Sequence, residues 1–327
     1  MTLMTNRQTY QDDNQNPKKP ETPDFSKFNV HDSFSVPTTD TTLAGGTSDN
    51  NDAPDIRRIS KRQLEELDRT LSDRDQCVLG EIQKYRYLMT GQIQRLLFTE
   101  ASTPSAALRA TSRNLKKLKE LGLVDNLSRR IGGVRAGSGS LIWYLTHAGE
   151  RLLRLHNGQP QPMRRFFEPS SYFLAHTLAV AEIAIRLIEI CRKHEPELIA
   201  LQLEPECWRS YSDVGVALSL KPDLYAATMT EEYDDRYFLE VDLNTESLAK
   251  LTEKCENYHK YYRSGLEQEE HESFPLTIWI VPNVTRKTRL ITHLRKIFDK
   301  QPKLFAVITG DELEELILQG GDREMLC

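Results

Sequence analysis

The sequence predicts a mixed α/β protein in which a mainly helical part precedes a part built around a central sheet. Apolar residues recur at helical spacing through residues 72–121, and two short strand-like segments follow. From residue 171 onward, helical segments alternate with apolar strand-like runs such as residues 276–281. We therefore divide the chain into a tail (1–60), a first domain (61–157), a linker (158–170) and a second domain (171–327).

Length and composition favour a cytoplasmic protein that does not enter a membrane. A chain of 327 residues is long enough for about two packed domains. The longest apolar run, from Phe173 to Ile190, contains His176, Glu182 and Arg186, so we expect no bilayer span. The first residues are polar, so we expect no signal peptide. The 5 cysteines are scattered without a CxxC pair, which is typical of reduced thiols in the cytoplasm.

Charge is distributed unevenly along the chain. The net charge is -5, but residues 72–157 carry 14 Lys and Arg against 7 Asp and Glu, or +7. Residues 158–327 carry 20 against 29, or -9. The middle of the chain is therefore the candidate for binding phosphates.

The tail is predicted to be disordered. Residues 1–60 are rich in Asn, Asp, Thr, Pro, Gln and Ser, and their apolar residues follow no sustained period. Such a segment buries too little apolar surface to offset the conformational entropy of the chain.

The first domain has the order of elements that is typical of a winged helix. Helix starts are predicted at Ser72 and at Thr103-Pro104, and a short helix follows Thr90. Gly122 ends the third helix. The strands that follow flank a glycine-rich loop, which would form the wing. The apolar face of the third helix is predicted to comprise Leu108, Thr111, Leu115, Leu118 and Leu121.

Basic residues follow the other face of the third helix and the wing. A helix fits the major groove of DNA, where exposed arginines and lysines reach phosphates or base edges. A solvated charged surface and a role in protein contacts are the alternatives. The residues predicted to bind double-stranded DNA are Arg109, Arg113, Lys116, Lys117, Arg129, Arg130 and Arg135.

The second domain has the order helix, three strands, helix, strand. This order is the core of the restriction-endonuclease-like fold, also called the PD-(D/E)XK type. Crossover helices between strands predict a mixed central sheet flanked by helices. The predicted segments are helices at 173–194, 247–262 and 287–300, and strands at 199–203, 214–220 running on to Tyr225, 236–243, 276–281 and 304–308.

Acidic residues mark the ends of two neighbouring strands, in Lys221-Pro222-Asp223 and in the run Phe238-Leu239-Glu240-Val241-Asp242. Hydrolysis of a phosphodiester at such a site uses a divalent ion that polarises the phosphate and lowers the pKa of a water. Carboxylate oxygens suit Mg²⁺, and strand alternation puts Glu240 and Asp242 on the same side. We therefore predict that Asp223, Glu240 and Asp242 are catalytic and bind Mg²⁺, with Mn²⁺ as a substitute.

The chain departs from the usual PD-(D/E)XK motif at Asp242, where that motif has a lysine that orients the nucleophile. Lys250 and Lys254, one turn apart on the next helix, are the predicted catalytic substitutes. The alternative for both lysines is a solvated helix face that pairs with Glu246 and Glu253.

Other polar residues are weaker candidates. Glu182 lies four residues before Arg186, a spacing that favours a surface ion pair over a role in the site. Glu204 and Glu206 are slightly better candidates for an additional acid. The position of His176 near a helix start indicates a structural, hydrogen-bonded histidine more than a general base.

A set of motifs extends across both domains. Its members are Tyr144-Leu145-Thr146-His147-Ala148-Gly149, His176, Lys221-Pro222-Asp223, Phe238-Leu239-Glu240-Val241-Asp242, Thr245-Glu246-Ser247-Leu248, Lys254, Tyr258 and Tyr261-Tyr262. Over about residues 70–310, this combination resembles the replication-relaxation family, whose members occur on plasmids and integrated mobile elements. The resemblance implies a role with DNA, in the cytoplasm, in plasmid replication, DNA relaxation or mobilisation.

Two functions remain open from the sequence. The first is a DNA-binding protein of a plasmid or mobile element that nicks DNA with a divalent metal and works with other replication or mobilisation proteins. The second is a non-catalytic winged-helix regulator or adaptor whose nuclease-like domain serves protein contacts. The net negative charge of residues 158–327 favours the second function, because a nuclease usually binds the DNA backbone in a positively charged channel.

Overall fold

A computed structural model describes residues 59–127, 141–158, 168–300 and 302–319. The predicted tail up to residue 58, most of the predicted linker, and Arg129, Arg130 and Arg135 of the predicted wing lie outside the described residues. Within these four ranges, no helix has both the length and the apolar character needed to cross a membrane.

The N-terminal part combines helices with a small antiparallel sheet of order β1-β3-β2. Hydroxyl side chains of Ser60, Ser72, Thr103 and Thr146 accept N–H groups in the first turns of four helices and fix where these helices begin. In chain order the elements are α1 (Lys61–Thr70), α2 (Asp73–Tyr85), β1 (Leu88–Met89), α3 (Thr90–Leu97), α4 (Pro104–Glu120), β2 (Val124–Asn126), β3 (Ile142–Leu145) and α5 (His147–Asn157).

The predicted order of three helices and two strands is confirmed as α2, α3, α4, β2 and β3. Helix α1 was not predicted. Of its residues only Leu64 is buried, so its sequence gives little indication of a helix that packs against the core. On α4 the prediction that Leu108 faces the core is wrong, since its side chain is 44% exposed. Ala107 takes the buried position one turn before Thr111, and the next residue is rotated by about 100° away from the core.

The C-terminal part is built on a mixed sheet of order β10-β9-β8-β7-β4, and the predicted mixed α/β class is confirmed. Strands β8, β9 and β10 are parallel, whereas β7 is antiparallel to both of its neighbours. In chain order the elements are α6 (Ser171–Lys193), β4 (Glu197–Leu203), β5 (Arg209–Asp213), β6 (Val216–Leu220), β7 (Leu224–Met229), β8 (Asp234–Val241), α7 (Leu248–Ser264), α8 (Leu266–His271), β9 (Leu276–Val281), α9 (Val284–Ile297), β10 (Phe305–Thr309) and α10 (Leu313–Gln319).

Both faces of this sheet are covered by helices. Leu239 and Ile278 belong to the apolar cluster that includes residues of α6 and α10. Their strand neighbours Phe238 and Trp279 belong to a second cluster with residues of α7 and α9. Because successive strand residues point to opposite faces, the apolar runs in β8 and β9 fill both layers.

The segment before β7 differs from the prediction of one strand running from Val214 to Tyr225. Val214 and Gly215 both have positive φ angles, 47° and 79°. The chain therefore reverses between β5 and β6, which pair as a separate two-stranded sheet. The two central residues of such a turn are usually Asn-Gly or Asp-Gly, so a valine gave no turn signal.

Helix α6 also joins the N-terminal and C-terminal parts. Arg95 of α3 donates to Glu182 at 2.6 Å and to Glu189 at 2.7 Å, and Gln92 donates to Glu182 at 3.2 Å. The predicted surface pair between Glu182 and Arg186 is wrong, because Glu182 is only 6% exposed. Its partners come from a different element, which helical spacing does not reveal.

Candidate functional site

The candidate site lies at the edge of the sheet where β7 begins and β8 ends. Asp223 immediately precedes β7, and Glu240 is the last residue but one of β8. These strands are antiparallel with Leu224 opposite Leu239, so the two acidic residues meet at this edge. The backbone N–H of Val241 donates to Asp223 Oδ2 at 2.7 Å.

Helix α7 holds the carboxylate of Glu240, which is 2% exposed. The Tyr258 hydroxyl donates to Oε1 at 2.7 Å, and the Lys254 ammonium donates to Oε2 at 3.1 Å. Burial, together with the charge of Asp223, raises the pKa of Glu240 to about 7. Glu240 therefore exchanges a proton in the neutral range. Tyr258 was absent from the predicted site, although it follows Lys254 at one helical turn.

His176 of α6 reaches the same carboxylate pair. Its Nε2 lies 3.3 Å from Asp223 Oδ2. Burial by itself would raise the pKa of Asp223, but the contacts with His176, Lys254 and the Val241 N–H outweigh it and lower the pKa. Burial would lower the pKa of His176, yet Asp223 raises it. His176 thus keeps its proton to a higher pH than an exposed histidine does, in direct contact with the site.

The structure separates the two predicted lysines. Lys254 contacts Glu240 and lies 3.4 Å from Glu246. Burial opposes the charged form of Lys254, but the three nearby carboxylates together raise its pKa. Lys250 has a side chain that is 61% exposed and pairs with Glu246 at 2.8 Å. Only Lys254 reaches the carboxylate pair; Lys250 lies on the solvated face that the sequence offered as the alternative.

Asp242 is bound by other partners. Its Oδ2 accepts from Arg286 Nε at 2.6 Å and its Oδ1 from the backbone N–H of Asn244 at 2.8 Å. Since β8 ends at Val241, strand alternation does not extend to this residue. Across the described ranges, no three His, Cys, Asp or Glu side chains form a group suited to a metal ion. The site therefore offers two carboxylates, where the sequence predicted three.

Glu204, one of the additional acids considered, does reach the site. It lines a pocket together with His176 and Asp223. Burial and the charge of Asp223 raise the pKa of Glu204, against the opposing effect of the Trp208 contact. The pocket thus has a third carboxyl group at its margin.

The predicted DNA-binding residues of α4 are largely accessible. Arg109, Arg113 and Lys116 are exposed along one side of the helix. Lys117 instead donates to the buried carboxylate of Asp75 on α2 at 2.6 Å. All four predicted helix cations are exposed, and Lys117, whose side chain is 50% exposed, also connects α4 to α2 through Asp75.

Comparison with known proteins identifies the family of this chain. The sequence matches the replication-relaxation family over residues 79–277, from within α2 to the start of β9. The chain belongs to this family. No curated protein matches the sequence. Among solved structures, the restriction endonuclease FokI shares 12% identity with a TM-score of 0.23, covering 81% of this chain and 74% of that chain. A TM-score this low does not imply a common fold.

Proposed function

We propose that this replication-relaxation protein binds DNA of a plasmid or integrated mobile element and nicks it during replication, relaxation or mobilisation. The C-terminal part then acts as a restriction-endonuclease-like domain of the PD-(D/E)XK type. The observation that carries the proposal is the buried pair of Asp223 and Glu240 at adjoining strand ends, with Lys254 on Glu240. Burying two carboxylates of like charge next to each other costs folding free energy. Such a pair therefore indicates a functional role more than a structural one.

The residues at the site fit a magnesium or manganese ion. Mg²⁺ is commonly held by one or two carboxylates, with waters and substrate phosphates completing its ligands. Asp223 and Glu240 would hold it, and a cation would relieve the second of the two causes, burial and the charge of Asp223, that raise the pKa of Glu240. Asp242 is excluded from the set by its bond to Arg286. Such an ion polarises a phosphodiester and lowers the pKa of a water.

The chain's own residues have separate tasks in this proposal. Lys254 places positive charge beside Glu240, where the phosphate would bind. Tyr258 fixes the Glu240 carboxylate through its hydroxyl. His176 carries a proton at Asp223 and can release it to the leaving oxygen.

The N-terminal part brings the DNA to this site. We interpret the order α2, α3, α4, β2, β3 as a winged helix with α4 as the helix that enters the major groove. The exposed Arg109, Arg113 and Lys116 support duplex binding by this face. Other replication or mobilisation proteins are the expected protein partners.

A second candidate is a non-catalytic regulator or adaptor. The observation that favours it is that His176 and Lys254 already compensate the two carboxylates. The net charge of -9 over residues 158–327 also opposes close contact with a DNA backbone. In this case the acidic pair is a structural ion cluster and the C-terminal part binds proteins.

Nicking of supercoiled plasmid distinguishes the two candidates. We expect wild-type protein to produce open circles with Mg²⁺ or Mn²⁺, and Glu240→Gln and Asp223→Asn to nick at least about 100-fold more slowly. Lys250→Ala, on the exposed face of the same helix as Lys254, is the matched control and should nick at the wild-type rate. Millimolar Mg²⁺ should also raise the melting temperature of the wild type but not of Glu240→Gln. Absence of both nicking and metal stabilisation would leave the adaptor as the function.

A further inference from the structure

The pocket beside the candidate site is shared between the N-terminal and C-terminal parts. Its cavity volume is about 60 Å³, and it lies between the end of α2 and the first turns of α6. The C-terminal part contributes His176, Glu204 and Asp223 to its wall. The N-terminal part contributes Lys84 and Arg86, two cations at the end of α2. The site therefore has a wall that a nuclease-like domain alone would not have.

Arg86 occupies this wall through a strained turn. Its backbone has φ 67° and ψ -49°, and the Tyr87 N–H donates to the Tyr85 carbonyl oxygen at 2.8 Å. These values describe the rarer type of γ-turn, which is costly for a residue other than glycine. Tyr85 and Tyr87 are both buried and hold the turn from either side. Strain of this kind is concentrated at binding and catalytic sites, where it aims a side chain.

The pocket wall carries three basic side chains, Lys84, Arg86 and His176, against two acidic ones, Glu204 and Asp223. Glu204 feels the positive charge of Arg86 and of His176, so these groups lie within electrostatic reach of one another. Within the described ranges, neither Arg86 nor Lys84 has an ion-pair partner within 4.0 Å, although the Lys84 ammonium lies 5.6 Å from the centroid of the Tyr85 ring. Lys254, in contrast, is already bound by Glu240 and Glu246. Arg86 thus has a charge available for a ligand in the pocket, next to Asp223.

We propose that Arg86, supported by Lys84, binds a phosphate group of the DNA strand on which the candidate site acts. The inference rests on the proposed nicking activity and names a residue of that site outside the nuclease-like domain. A guanidinium matches two phosphate oxygens at once, which an ammonium does not. Arg86 would supply the positive charge that the site lacks at Asp242, where the usual motif has lysine.

The first test measures binding without chemistry. The probe is the 5′-phosphorylated dinucleotide pdTpdT, titrated into the full chain by calorimetry. We expect Arg86→Ala to weaken binding about 10- to 100-fold, and Arg86→Lys to weaken it less. Arg74→Ala should bind like the wild type, since Arg74 lies on α2, the helix that precedes Arg86, and pairs with Glu100 instead. Equal binding by Arg86→Ala and wild type, or no binding by wild type, would overturn the proposal.

A glycine variant separates the charge from the fold. Arg86→Gly removes the guanidinium but suits the positive φ, so it should melt above Arg86→Ala while losing the same affinity for pdTpdT. If Arg86→Gly restored binding, the turn and not the charge would be responsible, and the proposal would fail.

The plasmid assay then separates this proposal from the proposed activity. Nicking by wild type and equally by Arg86→Ala would reject the role of Arg86 alone. Loss of pdTpdT binding in Arg86→Ala, with no nicking by any protein, would keep the phosphate site and reject the nuclease.

Discussion

At the scale of single residues, the Glu240 carboxyl links the protonation of the site to folding. Its pKa is about 7 in the folded protein, compared with an ordinary value of 4.5. Its contribution to the free energy of unfolding is therefore complete below pH 4.5 and is lost as the pH rises through 7. His176 also has a raised pKa, and its contribution is lost as the pH rises above 6.5. Asp223 has a lowered pKa, so its contribution is complete above 3.8 and is constant in the neutral range.

We therefore expect the free energy of unfolding to fall between about pH 5 and pH 8, and Glu240→Gln to remove much of this fall. The shift from 4.5 to about 7 corresponds to a change of up to about 3 kcal/mol. Urea unfolding of both proteins across this range measures the difference. Lys250→Ala serves as the control and should follow the wild-type profile. Parallel profiles for wild type and Glu240→Gln would refute the role assigned to Glu240.

The sequence was sufficient to predict the residues of the site that share one short motif. Asp223, Glu240 and Lys254 lie within one antiparallel strand pair and the helix that follows it, so spacing indicated their proximity. Arg86 and His176 come from elements far away in the chain, and only the packing of α2 and α6 brings them to Asp223.

At the scale of secondary structure, the basic face of α4 is the most direct indication of DNA binding. Arg109, Arg113 and Lys116 are exposed, whereas Lys117 is bound to Asp75. Each phosphate contact releases counterions, and so contributes about 0.9 to the slope of log affinity against log salt. If the three exposed residues contact phosphates as proposed, their removal changes this slope for any DNA sequence.

Replacing Arg109, Arg113 and Lys116 together with Ala should weaken duplex binding and reduce the salt slope by up to about 3. Fluorescence anisotropy at several salt concentrations measures both quantities. The matched control replaces Lys61, Arg62 and Arg69, which are also helical but belong to α1. An equal loss in both triple variants would show that net charge, and not the α4 face, determines binding.

Helix starts and core strands were predicted well because local chemistry determines them. Hydroxyl caps fixed α2, α4 and α5, and continuous apolar residues marked β9. The β5–β6 hairpin was missed because its turn has Val214 where the usual signal is Asn or Asp. Its position is set by packing against α7, which no local pattern reports.

At the scale of the whole molecule, α6 is the element that connects the part proposed to bind DNA with the candidate site. Its N-terminal end carries His176 at Asp223, and its middle and C-terminal half carry Glu182 and Glu189 against Arg95 of α3. Apolar residues of the N-terminal part and of the sheet also belong to one continuous cluster. A movement of α3 and α4 on DNA would therefore be transmitted to His176 through a packed helix.

This coupling predicts that the described parts of the chain unfold together. Arg95→Ala would leave Glu182, 6% exposed, without its ion-pair partner, at a cost of about 2–4 kcal/mol. Because the lost contacts lie between the two parts, we expect calorimetry to show one transition for wild type and two for the variant. Arg74→Ala is the matched control, since its pair with Glu100 is exposed and should contribute less than about 0.5 kcal/mol. Two separate transitions already in the wild type would show that the α3–α6 contact does not hold the parts together, and His176 would then respond to DNA only through the chain connection.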